Sequence, residues 1–101
     1  MSGGIKLIAL RRSGNPKKKY DAIIEMKESG KQRTVSFGAA GMSDYTKHHD
    51  DERKSRYIAR HQAREDWNNP MTAGYYARWI LWNKKTIRES LADMLRRPEW
   101  R

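Results

Sequence analysis

Hydrophobic and polar positions alternate most clearly between Tyr20 and Lys27, where Tyr20, Ala22, Ile24 and Met26 interleave with Asp21, Ile23, Glu25 and Lys27. A period of two puts the first set on one face of a strand. Glu28-Ser29-Gly30-Lys31 follows as a turn, because glycine tolerates positive φ. Arg33, Val35 and Phe37 then alternate with Thr34 and Ser36, which predicts a returning strand over 32–38 and so a hairpin. A shorter apolar run from Ile5 to Leu10, interrupted by Lys6, predicts another strand. Ser13-Gly14-Asn15-Pro16 separates it from the hairpin with the chemistry of a loop. The three strands make an antiparallel meander.

From about Asp50 to Asp66 the pattern becomes helical. Asp50, Asp51 and Glu52 fall in the first turn, where acid complements the helix dipole. Asn69-Pro70 breaks the chain, and Thr72 is an N-cap for a second helix running to about Asn83. At about 100° per residue, Tyr75, Tyr76, Trp79 and Ile80 share one broad face and Leu81 points away. A helix this apolar is buried, so it is expected to be the central core element. Thr86-Ile87-Arg88-Glu89 matches a capping box, with the Thr oxygen and the Glu carboxylate each satisfying a backbone donor. The third helix runs to about Leu95, with Ile87, Leu91, Met94 and Leu95 as its stripe. Gly38 to Lys47 has no clean period and reads as a structured loop. Strands followed by helices predict a single small α+β domain over residues 1–101. Residues 1–4 and 96–101 are expected as mobile or partner-ordered ends.

Charge changes the picture most. The chain has 22 Lys and Arg against 12 Asp and Glu, a formal net charge of +10. Residues 1–47 carry ten basic and four acidic side chains, residues 48–68 five of each, and residues 69–101 seven and three. Such an excess raises encounter rates with polyanions. Nucleic acid is the first candidate partner, an acidic protein surface or anionic membrane the next, and plain solubility the alternative. Four Trp and five Tyr argue against disorder. The absence of Cys excludes disulfides and thiolate metal sites. The Ile5–Leu10 run is too short for a signal peptide and no stretch spans a membrane, so the chain reads as cytosolic or nuclear.

Arg53, Arg56, Arg60 and Arg64 are spaced by three, four and four, within about 80° of one another on a helix. Guanidinium groups in a row suit phosphate or carboxylate. The alternative is a solvated face with local pairs, since Glu52 lies four before Arg56. Arg11, Arg12, Lys17, Lys18 and Lys19 could line the first loop as phosphate contacts, or simply solubilise it. Arg96, Arg97 and Arg101 make the tail basic, and Trp100 between them is a candidate partner anchor. The aromatics between Tyr75 and Trp82 fit core packing better than base stacking. His48, His49 and His61 show no metal-ligand spacing, and His61, four after Tyr57, reads as a packed helix residue. Ser43-Asp44 with His48 or His49 is the nearest set to a triad, and proximity in sequence is not triad geometry. Gly38-Ala-Ala-Gly41 lacks the Gly-Lys-Ser/Thr of a phosphate loop. No cofactor, metal or small-molecule substrate is expected, and no catalytic residue.

Three long motifs, Phe37-Gly-Ala-Ala-Gly-Met-Ser-Asp-Tyr-Thr-Lys-His48, Asp51-Glu-Arg-Lys-Ser-Arg-Tyr-Ile-Ala-Arg-His61 and Thr72-Ala-Gly-Tyr-Tyr-Ala-Arg-Trp-Ile-Leu-Trp-Asn-Lys84, carry a resemblance over about residues 20–95. The chain resembles a family of small uncharacterised proteins encoded by large nucleocytoplasmic DNA viruses, including phycodnavirus-like and mimivirus-like groups. The resemblance transfers no activity. It implies a viral setting, with the protein in the virion or in the infected cell's cytoplasm or nucleus. Two functions of different class follow as expectations. One is a non-enzymatic protein that holds nucleic acid, DNA foremost, by its phosphates. The other is a minor capsid protein that bridges larger acidic subunits.

Overall fold

The computed structural model describes residues 4–100. Strands β1 (Ile5–Arg12), β2 (Lys18–Met26) and β3 (Gln32–Ala39) form one antiparallel sheet in the order β1-β2-β3. The alternation along β2 does what its period dictates: Ala22 and Ile24 are buried in the core, and Tyr20 and Met26 pack against it. Across the pair Ala22 faces Val35 and Tyr20 faces Phe37, with the two rings 6.0 Å apart. On the other face Asp21 accepts a hydrogen bond from the Ser36 hydroxyl at 2.6 Å. That bond first, and the Ser13 hydroxyl next, hold its carboxyl below the usual carboxylate range.

Strand β1 does not alternate evenly, and the register explains why. Leu7 pairs with Ile24 and Ala9 with Ile23, so Ile8 is an extra residue. An inserted residue shifts the side-chain phase by one. Leu7 and Leu10, three apart, therefore both pack on the core, while Ile8 stays 42% exposed.

One face of the sheet is covered by the C-terminal half. Helix α1 (Tyr45–His48) occupies the segment read from sequence as a loop, and α2 (Asp51–His61) follows. Helix α3 (Ala73–Tyr76) continues directly into a π-helical turn, Ala77–Leu81, and α4 (Ile87–Met94) precedes a short 3-10 turn at Pro98–Trp100. Helix α3 and the π-turn pack on β3, α4 packs on the π-turn, and the 3-10 turn reaches β1. The radius of gyration, 13.5 Å, is that of one compact domain of this length.

Each helix start has a local cause. Asp50 caps α2, its carboxylate accepting from the Glu52 and Arg53 N–H groups at 3.0 and 3.2 Å. Thr72 caps α3 through Tyr75 N–H at 3.3 Å. Thr86 caps α4 through Glu89 N–H at 3.1 Å, but the Glu89 carboxylate accepts a hydrogen bond from the Thr86 hydroxyl, where the capping box predicts one from the Thr86 backbone N–H. Helix α2 ends at His61, short of Asp66. Gln62, Ala63 and Arg64 are all exposed, so no apolar contact holds a further turn to the body. Leu95 lies just beyond α4 and is 40% exposed, outside the stripe formed by Ile87, Leu91 and Met94.

The π-turn corrects the expectation for Leu81. Trp82 N–H donates to Ala77 C=O, five residues back, at 3.0 Å. A wider turn rotates each residue by less than the 100° of an α-helix. Ile80 and Leu81 thereby both face the core, with Leu81 only 2% exposed. Arg78 closes the turn by donating to Trp82 C=O at 2.9 Å. The buried Asn83 ties its end to two helices: the side-chain amide donates to Asp93 of α4 at 2.9 Å, and the backbone C=O accepts from Lys54 of α2 at 2.6 Å.

Tyr75 and Tyr76 are both fully buried, and burial raises both hydroxyls above the ordinary tyrosine value, Tyr75 to about 12. Tyr75 Oη accepts from the Trp100 indole N–H at 2.8 Å, whereas Tyr76 Oη has no hydrogen-bond partner among the described residues. An unpaired buried hydroxyl costs about 1–3 kcal/mol. Tyr76→Phe is therefore expected to leave stability unchanged or raise it by about 1 kcal/mol, and Tyr75→Phe to lower it by a similar amount. Urea denaturation of the two variants checks the sign of each.

Candidate functional site

The site lies where β3 runs into α1, and glycine makes the close approach possible. Gly38 has φ of 79°, and a Cβ there would stand 2.8 Å from Leu81 Cδ1 and 3.2 Å from Lys19 Cβ. Gly41, at φ 86°, then turns the chain and lifts Met42 into solvent, where it is 66% exposed. Asp44 brings the chain back. It is 1% exposed and caps α1, its carboxylate accepting from the Thr46 N–H at 3.0 Å and from the Thr46 hydroxyl. The same carboxylate holds the Lys19 ammonium in a buried ion pair.

Two cationic grooves flank this loop. One, of 260 Å³, is lined by Arg53, Arg56 and Arg60 of α2 together with Met42, Ser43 and Trp82. Arg53 and Arg60 are exposed and make no ion pair among the described residues. Arg56 pairs with Glu52 at 3.0 Å, with side chains 55% and 81% exposed, and so open a pair contributes little and is readily exchanged. The other groove, of 310 Å³, has Arg12, Lys18 and Lys47 around Gly41. Between them a cavity of 350 Å³ is bounded by Lys19 and Arg60 at its sides and by the π-turn residues Ala77 and Leu81 behind. Planar guanidinium groups crowded in one groove form a ready anion site, since each can offer two parallel N–H donors to a phosphate.

An aromatic stack fixes α2 against the π-turn. The Tyr57 ring has the His61 and Trp82 rings stacked at 4.4 Å each, the latter within 3° of parallel. His61 also bonds Glu65 at 2.7 Å, which accounts for it as a packed helix residue. These contacts orient the outer face of α2, and the three arginines with it.

The other predicted positions fall elsewhere. Arg64 lies past the end of α2 and borders a separate depression beside Thr72 and Gly74, so the ladder of four is a ladder of three. Lys17 is exposed at the tip of the β1–β2 loop. Arg11 sits 3.9 Å from Asp21 on the far face of the sheet. Lys19 is held by Asp44, so it shapes the cleft and offers little to a ligand. Arg96 pairs with Asp93 at 3.0 Å. Arg97 lies over the Trp79 ring at 3.9 Å and bonds Glu99 at 3.2 Å and Asn68 at 2.9 Å. Trp100 is no outward anchor: its ring packs on the chain's own core and its N–H bonds Tyr75. The stretch from Arg97 to Trp100 is thus docked on the domain, while Arg101 lies outside the described residues. Lys47, Met42 and Ser43 belong to the site and carry no periodic signal. The signal that could have found them is Asp44, a residue type favoured as an N-cap, which starts the helix that presents Lys47 where the sequence reads as a loop.

Among the described residues no group of three or more His, Cys, Asp or Glu is placed to hold a metal ion. No described helix is long and apolar enough to cross a membrane. Residues 8–61, just over half the chain, match the model of a family of unknown function (DUF5754). The matched stretch contains every cation of the two grooves. No curated protein and no solved structure matches the chain.

Proposed function

Because the chain belongs to the DUF5754 family, a family of unknown function, we propose from its surface chemistry that it is a non-enzymatic protein that binds nucleic acid through phosphate contacts. The observation that carries this is the groove lined by Arg53, Arg56 and Arg60, of which Arg53 and Arg60 make no ion pair among the described residues and Arg56 is only loosely paired. A second groove with Arg12, Lys18 and Lys47 extends the cationic surface around the same end of the sheet. Successive phosphates of one strand need cations in a line, and two grooves side by side supply them. The resemblance to proteins of large DNA viruses makes viral DNA the first partner, in the virion or during infection. The capsid reading is weaker, because Arg97 and Trp100, which would have gripped a neighbouring subunit, are engaged within the domain.

The test is titration of the purified protein with labelled duplex and single-stranded DNA at several salt concentrations. Each phosphate contact adds about −0.9 to the log–log slope of affinity against salt on duplex and about −0.7 on single strands, so a slope steeper than about −2 is expected. Absence of binding at low salt, or binding indifferent to salt, sinks the reading. An ordered, stoichiometric place between capsid subunits in virion density would support the capsid role instead.

A further inference from the structure

Binding of phosphates leaves the cavity between the two grooves unexplained. Its volume, 350 Å³, is at the lower end of the range for small-ligand sites, about 300–1,000 Å³, which suits a single ring system. Most of its wall is apolar, with Gly38, Ala77, Leu81 and Trp82 in the lining, and its two carboxylates are engaged within the domain, Asp44 by Lys19 and Glu65 by His61. Met42 stands at its rim, shared with the arginine groove, and is 66% exposed. A large apolar side chain held in solvent between two cationic grooves does nothing for folding. Methionine is a soft, adaptable surface that packs well against rings, and it is one of the side chains that proteins insert between bases. The rear wall is the π-turn, an irregularity that recurs at functional sites.

We infer that this cavity takes one unpaired base, with the flanking phosphates held by the arginine groove on one side and the Arg12–Lys18–Lys47 groove on the other. The inference rests on the nucleic-acid reading above and narrows it: the preferred ligand is a single strand, or a duplex with an extruded base. Bases in an intact duplex are stacked on both faces and cannot enter without being flipped out. Charge complementarity selects the strand, and the apolar cavity selects its unpaired state.

The experiment compares the full chain's affinity for a single-stranded DNA oligonucleotide, the duplex of the same sequence, and the same strand with abasic sites, at one fixed salt concentration. One base on an apolar platform corresponds to roughly a tenfold change in affinity, so the single strand should bind about tenfold tighter than the duplex and the abasic strand should lose that advantage. Ala73, exposed at the start of α3, lines the cavity. Ala73→Leu fills it and should weaken single-strand binding by about tenfold with the salt slope unchanged, because no cation is touched. Met42→Ser, at an open position, should act in the same direction and guards against a folding defect in the first variant. Equal affinity for strand and duplex, undiminished binding of the abasic strand, or no effect of either variant would overturn the inference. If steep salt dependence persists in that case, only the base pocket falls. If no DNA binds at any salt, both proposals fall together.

Discussion

Asp44→Ala is expected to lower the stability of the domain by about 3–5 kcal/mol, because it leaves the Lys19 ammonium buried without its partner. The pair is well shielded, with side chains 10% and 2% exposed. The loss also removes the cap of α1, which contributes about 1 kcal/mol of the total. For a chain of this size each kcal/mol moves the melting temperature by about 4–8 °C, so a fall of roughly 12–40 °C should appear in thermal melts. Two further variants separate the causes. Asp44→Asn retains an oxygen for the Thr46 N–H and should keep the cap while losing the charge. Adding Lys19→Met to Asp44→Ala removes the stranded cation and should recover part of the loss, since a buried pair replaced by apolar groups is often neutral. A change below about 1 kcal/mol for Asp44→Ala would show that water reaches the pair as freely as at the surface.

The second large effect concerns binding. Replacing Arg53, Arg56 and Arg60 together with Glu should remove three phosphate contacts, reduce the log–log salt slope on duplex DNA by about 2.7, and weaken affinity by about 500-fold at 0.1 M salt. The three side chains are at least half exposed or face solvent, so the fold should survive, and circular dichroism checks it. The same triple reversal built on Arg11, Arg96 and Lys17, outside the two grooves, makes an equal change in net charge. If that control weakens binding as much, the grooves are not the site and only overall charge matters.

What could be seen in advance divides along physical lines. The strands of the hairpin follow from a period of two that packing then uses directly, as Ala22 against Val35 demonstrates. Caps at Thr72 and Thr86 were readable because each acts within three residues of itself, whereas Asp50, which reads as a first-turn acid, is the cap of α2. The π-turn was not, since a bond from Trp82 back to Ala77 is a response to how Ile80 and Leu81 fit the sheet, and no local propensity announces it. The Lys19–Asp44 pair joins residues 25 apart and has no short-range signature. The arginine stripe on α2 was legible as a face. Lys47 and Met42 were not, because they come to the cleft only through the fold, and Arg12, a candidate of the first loop, could not be placed beside Lys47 from sequence. The tail misled for the opposite reason: Arg97 and Trp100 look free in a basic sequence, yet an indole and a guanidinium both find better partners in the aromatic body.

The extra residue at Ile8 also bears on how the molecule behaves among its own copies. Strand β1 is one margin of the sheet and presents unsatisfied backbone groups outward. An inserted residue there breaks the even ladder that an incoming strand would need, and the cationic side chains of Lys6, Arg11 and Arg12 repel a second margin of the same kind. Copies of the chain meeting at high concentration are thereby kept from zipping together strand by strand.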